Sequence, residues 1–322
     1  MAVAALSKLI GGLALFLLGI SFLGEGMERL AGGRAERYLR RCTSSRGRGF
    51  LLGTAVTAVV QSSSAVTVIA VSLADSGLLT LRQVIPVVIG ANVGTCATAW
   101  LLCLFQTGSD VLTALPAALA GAVGTGLYLF SRRRKHWGMV LLCFLLLLTG
   151  MEAMTAAAEL LAGQPGTQLL LAAARHPLLG LLFGTVLTAF IQSSSASVGI
   201  LQALSVSGQI SVAMALPVIL GENIGTCATA FLATLRGGRA AKQTALTHLL
   251  FNCMGTAGVF LLLMLFEKPA APLLERAADF ESIAVIHTVF NLFSAALLLP
   301  FSNGLAKMAE RLTGAGREKV RL

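Results

Sequence analysis

The sequence predicts an all-α polytopic membrane protein built from two inverted repeats. Each repeat is expected to hold three transmembrane helices and one re-entrant hairpin carrying Gln-Ser-Ser-Ser, with one extra helix toward the C-terminus. Three observations predict this: the hydropathy of the 322-residue chain, an internal duplication without gaps, and the placement of its basic residues.

Hydrophobic residues make up 56% of the chain and charged residues only 12%, so apolar runs recur along most of it. Leu9–Leu23, Val84–Phe105, Val140–Gly150 and Val259–Phe266 are four such runs. A span needs about 20 largely apolar residues to cross a hydrocarbon core of roughly 30 Å. The first run has no cleavage-site pattern after it, and it reads as a helix of the mature chain. Six cysteines, mostly inside apolar segments, argue against a disulfide framework or a metal centre.

The duplication has a single offset. Gln61 and Gln192 are 131 positions apart, as are Pro86 and Pro217, Asn92 and Asn223, Gly19 and Gly150, and Gly124 and Gly255. About half of the positions between Gly53 and Ala99 match their partners, and the matches concentrate in two polar blocks. One is "QSSSA" at 61–65 and 192–196; the other is "GANVGTCATA" at 90–99 against "GENIGTCATA" at 221–230. Internal repetition at this length in a membrane protein points to a two-repeat transporter architecture. The boundaries expected are 1–135 for the first repeat, 136–266 for the second, and 267–322 for a C-terminal helix and basic tail.

The net charge of +10 comes from short clusters between spans. Arg34 to Arg48, Arg132 to Lys135, Arg236 to Lys242 and Lys307 to Arg321 hold most of it, which is the positive-inside pattern and not a nucleic-acid surface. If residues 50–74 crossed as one helix, the first two clusters would face opposite sides. From Phe50 to Val60 is about 17 Å of helix, enough to reach mid-membrane only. Treating 50–76 and 178–207 as re-entrant leaves seven spans, near 6–31, 84–105, 111–131, 136–162, 213–235, 243–266 and 282–305. Only Lys8, Arg175, Lys268 and Arg276 then lie outside, with the N-terminus outside and the C-terminus cytoplasmic, in the cell (inner) membrane. Three spans and a hairpin per copy invert the second copy, so the hairpin tips meet near the midplane. Polar irregular backbone is tolerated there only around a cavity or within protein.

At such tips a helix breaks and frees N–H groups carrying positive partial charge. Successive serines add hydroxyl donors and glutamine adds an amide, a set suited to an oxyanion. The Pro and Gly-x-Asn-x-Gly elements are expected to interrupt the spans 84–105 and 213–235 and free carbonyls for a cation. No lysine or arginine lies in these blocks, so an anion would need a co-bound cation, for which Na⁺ is the simple candidate. Glu222, expected near the second break, adds a carboxylate where its partner is Ala91.

On these residues the chain resembles the type II sodium:phosphate cotransporter family. The double "QSSSA", each copy followed some thirty residues on by "G-x-N-[VI]-G-T", carries the resemblance. So do "LALFLLGISFLGEGMERLAG" (13–32), "ALTHLLFNCMGT" (245–256) and "IHTVFNLFSAALLLPF" (286–301). The resemblance implies inorganic phosphate and sodium ions as partners, Na⁺ as coupling ion, and no other cofactor. It places phosphate at Gln61, Ser62, Ser63, Ser64, Gln192, Ser193, Ser194 and Ser195, with Asn92 and Asn223 beside them. Candidate sodium ligands are Ser64, Thr95, Ser195, Thr226 and Glu222. Cys96 and Cys227 stand where the bacterial pattern has a second threonine, and Glu222 where it has a small residue. Some bacterial relatives carry a PhoU-like helical domain, and none is expected in this sequence.

Other polar residues read as structural. His248 with Asn252, and His287 with Asn291, sit four apart in the pattern His-x-x-Phe-Asn and are expected to knit helices together. Asp75 reads as a cap, Glu25, Glu28, Glu152 and Glu159 as span-end residues, and Arg29–Arg48 as an amphipathic linker at the lipid surface. An enzyme is not expected: an intramembrane serine protease needs one nucleophile, usually in Gly-x-Ser-Gly, which is absent.

Overall fold

The computed structural model describes residues 2–31, 36–39, 45–106, 111–161 and 164–314. Its first half runs α1 (Ala2–Ala31), α2 (Arg46–Val60), α3 (Ser63–Asp75), α4 (Leu81–Gln106) and α5 (Val111–Phe130). The second half runs α6 (Lys135–Leu161), α7 (Pro165–Ala174), α8 (Pro177–Ile191), α9 (Ser194–Ser205), α10 (Val212–Gly225), α11 (Cys227–Ala233) and α12 (Arg239–Leu265). Three more helices follow: α13 (Glu267–Leu274), α14 (Phe280–Leu298) and α15 (Ser302–Leu312). The one β feature among the described residues is a bridge between Ser211 and Ala277, which ties the starts of α10 and α14 together. Much of the basic linker after α1, including Arg34, Arg40 and Arg41, lies outside the described residues, as does the tail beyond Gly314.

Six helices are long and apolar enough to cross a membrane: α1, α4, α6, α10 with α11, α12 and α14. The remaining expected span, 111–131, forms a helix as anticipated, the 20-residue α5, and among its described residues the apolar part is Ala118–Phe130. The last expected span, 282–305, ends at Leu298, and α15 begins as a separate helix after Pro300. Breaks fall where the serine blocks are, at residues 61–62 and 192–193.

One expectation is corrected. The span 84–105 is not interrupted: α4 is continuous with Pro86 inside it. Pro86 lies in the first turns, where the missing N–H forgoes a single bond near the helix start. In the second copy the interruption is one residue, Thr226, whose N–H still reaches the Glu222 carbonyl at 3.0 Å.

The glycines of these blocks do packing work in place of breaking helices. A β-carbon at Gly53 would overlap the Val87 carbonyl, one at Gly90 the Phe50 carbonyl, and one at Gly94 would lie 2.5 Å from the Thr54 carbonyl. The contacts ascend together (Gly49 against Pro86, Gly53 against Val87, Thr57 against Gly94), so α2 runs parallel to α4 with backbones touching. Gly184, Gly221 and Gly225 make the corresponding contacts between α8 and α10. By contrast, α1 packs antiparallel on α6, with Gly12 against Gly150, Gly19 against Leu147 and Gly26 against Val140. Small residues permit this approach where no hydrophobic effect drives helices together.

α4 lies at the centre, with 72% of its apolar window buried, against 22% for α1 at the rim. Asp279 caps α14: its carboxylate accepts from the Ser282 hydroxyl at 2.6 Å and the Ser282 N–H at 2.7 Å. Those two bonds, the hydroxyl's first, hold that carboxyl below its ordinary range. Asp75 accepts from the Gly238 N–H at 2.9 Å and so caps α12, a helix 163 residues away in sequence.

The seams generate a contrast. Gly184→Ala should lower thermal stability in detergent, because its methyl meets backbone that cannot yield; overpacking costs about 1–3 kcal/mol. Gly11→Ala, in open space on α1, should leave stability unchanged or raise it slightly. Equal melting temperatures for the two variants would refute the backbone-contact reading.

Candidate functional site

Each tip is built around a glutamine in the left-handed conformation. Gln61 has φ 58° and ψ 25°, and Gln192 has φ 60° and ψ 24°. They are the only non-glycine residues with positive φ among those described. This conformation suits glycine, and an L-residue there costs about 1–2 kcal/mol. Each glutamine N–H still closes its helix by bonding the carbonyl four residues back, Thr57 or Thr188, at 2.7 Å. The Gln61 amide also bonds back to the Ala58 carbonyl, one of the groups that a helix end leaves open.

The next residue begins the second helix. Ser62 accepts from the Ala65 N–H at 3.1 Å and Ser193 from the Ala196 N–H at 3.2 Å, so both are N-caps. Capping uses an oxygen lone pair and leaves the hydroxyl proton free to donate. Ser63, Ser194 and Ser195 are buried, while Ser62, Ser64 and Ser193 are half-buried.

All eight tip residues line one cavity of about 540 Å³. Its remaining wall is α1, from Leu17 to Glu28, with Phe190 and Ile191 at the second tip. Among the described residues, no lysine or arginine lines it. Hydroxyls, amides and two helix N-termini converge there, donors fit for an oxyanion whose charge no fixed cation balances.

The other expected site residues lie behind this cavity and do not line it. Asn92 donates to the Asn252 side-chain oxygen at 3.0 Å, and its own oxygen stands 3.0 Å from His248 Nε2. The His248–Asn252 pair therefore knits α12 to α4. The Asn223 amide donates to the Ile219 carbonyl at 2.9 Å. Thr95 and Thr226 turn their hydroxyls onto the Ala91 and Glu222 carbonyls at 3.0 and 2.8 Å. Glu222 is fully buried, and neither carboxylate oxygen has a hydrogen-bond partner among the described residues. Such a group needs a proton or a bound cation to be stable in low dielectric.

Three features escape sequence reasoning. Thr98 and Thr229, the last threonines of the two "GTCAT" runs, link the tips: Ser195 donates to Thr98 at 3.1 Å, and Thr229 stands 3.4 Å from Ser64. Thr98 also donates to the Gln61 side-chain oxygen at 2.9 Å. The signal was present, since both threonines obey the 131-residue offset. Glu25 and Glu28 line the cavity, although sequence position alone makes them span-end residues; Glu25 pairs with Arg29 at 2.9 Å. Third, the tips are held by glutamines in a conformation that glutamine seldom adopts.

The second polar layers differ between the copies. Thr188 donates to Ser197 at 2.8 Å, whereas the equivalent Thr57 hydroxyl has no partner among the described residues and the position matching Ser197 is Val66.

Comparison with known proteins matches these features to a family. The Na⁺/Pi-cotransporter family profile fits the chain twice, at residues 15–156 and 146–297, starting 131 positions apart like the two glutamines. YqeW of Bacillus subtilis is 31% identical over 306 residues, covering 89% of this chain and 92% of that protein. A putative inorganic phosphate export protein, YjbB of Salmonella typhimurium, is 28% identical over 313 residues, 95% of this chain. The chain spans about half the length of that relative, 55%. The human sodium-dependent phosphate transport protein 2B is 35% identical over 108 residues, 33% of this chain and 16% of that protein. No solved structure matches the chain. Matched over most of its length by the family profile, this multi-pass helical chain belongs to the Na⁺/Pi-cotransporter family.

Proposed function

We propose that the chain is a secondary active transporter that carries inorganic phosphate together with sodium, by alternating access to the cavity between the two serine tips. The carrying observation is that cavity: N-cap serines with free hydroxyl protons, two helix N-termini and no fixed positive charge. A phosphate bound there presents only oxygen acceptors and brings net negative charge. The co-bound sodium supplies the balance, with Ser64 and Ser195 at the tips and Thr95 and Thr226 on the helices behind as its candidate ligands. Glu222 is the further candidate, through its unpartnered carboxylate.

The packing directions support the re-entrant, inverted arrangement. α2 runs parallel to α4, and α3 is joined to the start of α4 by residues 76–80 alone, so the chain turns back at Gln61. α8 and α10 repeat the geometry around Gln192. The equivalent helices α1 and α6 pack antiparallel, and the Ser195–Thr98 and Ser64–Thr229 contacts are reciprocal, as a two-fold axis in the membrane plane requires. On this reading residues 1–135 and 136–266 are the two inverted units and 267–322 an addition, with the N-terminus outside and the C-terminus cytoplasmic in the inner membrane.

A second reading concerns direction. The relatives named as phosphate export proteins align with 95% of the chain, and the cavity extends along α1 toward Arg29, its basic and hence cytoplasmic end. Both favour net export, with the same site and the sodium gradient opposing or absent.

Labelled phosphate in proteoliposomes, with sodium inside, outside or on both sides, tests function and direction together; flux indifferent to sodium would sink the symport reading. In the same assay Ser62→Asp and Ser193→Asp should keep the caps and stay folded, yet lose uptake by tenfold or more, since a carboxylate adds charge and removes a donor, worth roughly 1–3 kcal/mol. Normal transport by either variant would remove the tips from the site.

Glu222→Gln tests the buried carboxylate. It should weaken sodium dependence, or flatten the pH dependence of flux, more than it lowers expression. Superimposable curves for wild type and variant would demote Glu222 to packing. For topology, cysteines at Thr80 and Ser207 should react with an impermeant maleimide from opposite sides, Thr80 from the cytoplasm. Reaction from one side would overturn the inversion.

A further inference from the structure

We infer that Thr98 and Thr229 are positioning residues, a pair of latches that close alternately to set which end of the cavity is open; the inference rests on the transport cycle proposed above. Thr98 Oγ1 donates to Gln61 Oε1 at 2.9 Å and accepts from Ser195 Oγ at 3.1 Å. One threonine thereby fastens its own tip and the opposite tip at once. Thr229 is its repeat equivalent but stands in the other condition. Its proton goes to the Thr226 carbonyl at 2.9 Å, Ser64 Oγ stands 3.4 Å away, and the exposed Gln192 side chain makes no hydrogen bond among the described residues.

A hydroxyl has one proton to give. Thr229 cannot serve the Thr226 carbonyl and a Gln192 oxygen together, so each latch is either engaged with its glutamine or turned back on its own helix. Here the Thr98 latch is engaged, the Thr229 latch is turned back, and the cavity extends along α1 to Glu25 and Glu28. Repeat symmetry defines the opposite state. Ser64 donates to Thr229, Thr229 holds Gln192, and Thr98 returns its proton to the Thr95 carbonyl, the equivalent of Thr226. One bond set exchanges for its mirror image, leaving the two states close in free energy, as a carrier that must visit both requires.

The tips carry the ligands in either state, so the latches act through position. With Gln61 held through both its oxygen and its nitrogen, Gln192 is the tip amide free to reorient toward an anion. The threonines therefore also select which repeat offers its glutamine.

The test reads the opening directly. Gly24 lines the cavity and has open space where a side chain would go, so Gly24→Cys reports access from the α1 end. The full chain carries Gly24→Cys with Cys42→Ser and Cys253→Ser, sits in lipid nanodiscs, and is reacted with a maleimide. Thr98→Val should slow labelling by roughly three- to tenfold, the bias worth one hydrogen bond. Thr229→Val should leave the rate unchanged or raise it, and Thr98→Ser should restore it. Ser195→Ala, which cuts the same link from the opposite tip, should shift labelling in the direction of Thr98→Val and stands in for it if that variant fails to fold. Equal effects of the two valine variants, an unchanged rate in Thr98→Val and Ser195→Ala, or failure of the serine rescue would overturn the latch. Protection of Gly24→Cys by phosphate with sodium is measured separately. Its absence would sink the substrate reading while leaving the latch result to stand alone.

Discussion

Two helices end in the interior of this protein, and the left-handed backbone at Gln61 and Gln192 is the constraint on which the rest depends. Inside an apolar slab an open helix end strands polar groups, at several kcal/mol each. Here one residue closes the first helix through its N–H, and the serine after it caps the second. Glycine would adopt the turn without strain, but glycine has no side-chain amide to fasten. At Gln61 the side chain reaches back to Ala58 and across to Thr98, so the residue that bears the strain also anchors the tip. Strain held in place by surrounding bonds is common where a binding geometry must be ready in advance.

Duplication explains why the two tips meet and also why they are not equivalent. Identical blocks on the two halves give reciprocal contacts, Ser195 with Thr98 and Ser64 with Thr229. Yet the layer behind the tips has diverged. The first copy places Val66 and Ala91 where the second has Ser197 and Glu222, both of the latter fully buried. The cavity-facing surface is kept in register while one half accumulates polarity. A cation held only by the second half would therefore break the symmetry of the cavity without altering its walls.

Much of this was legible in the residues. The helical class, the duplication and the place of both helix breaks follow from hydropathy, a constant offset and two serine runs. The tip residues that the sequence singles out all line one cavity, four consecutive polar side chains from each copy. The flanking helices were less legible. Gly-x-Asn-x-Gly looks like a helix breaker, yet Gly90 and Gly94 serve to bring α2 onto α4, and the helix continues. Local propensity cannot distinguish a glycine that bends a backbone from one that admits a neighbour. Asn92 likewise meets His248 and Asn252 on α12, some 160 positions away, a partnership that no local pattern encodes. The threonines at 98 and 229 were hidden by their ordinariness: threonine inside a helix usually bonds its own backbone, as Thr95 does.

The glycine seams have a mechanical corollary. Where Gly53 and Gly90, or Gly184 and Gly221, sit against carbonyl oxygens, the mating surfaces are backbone, with no side chains to act as a lubricating layer. An arm keyed to a span in this way cannot slide along it by a fraction of a turn without driving a carbonyl into a Cα. Each short arm and its long neighbour thus form one stiff girder, and each tip is its fixed end. Any motion that changes the gap between the tips must therefore carry each arm together with its span, so a tilt at the far end of a girder reaches the tip undiminished.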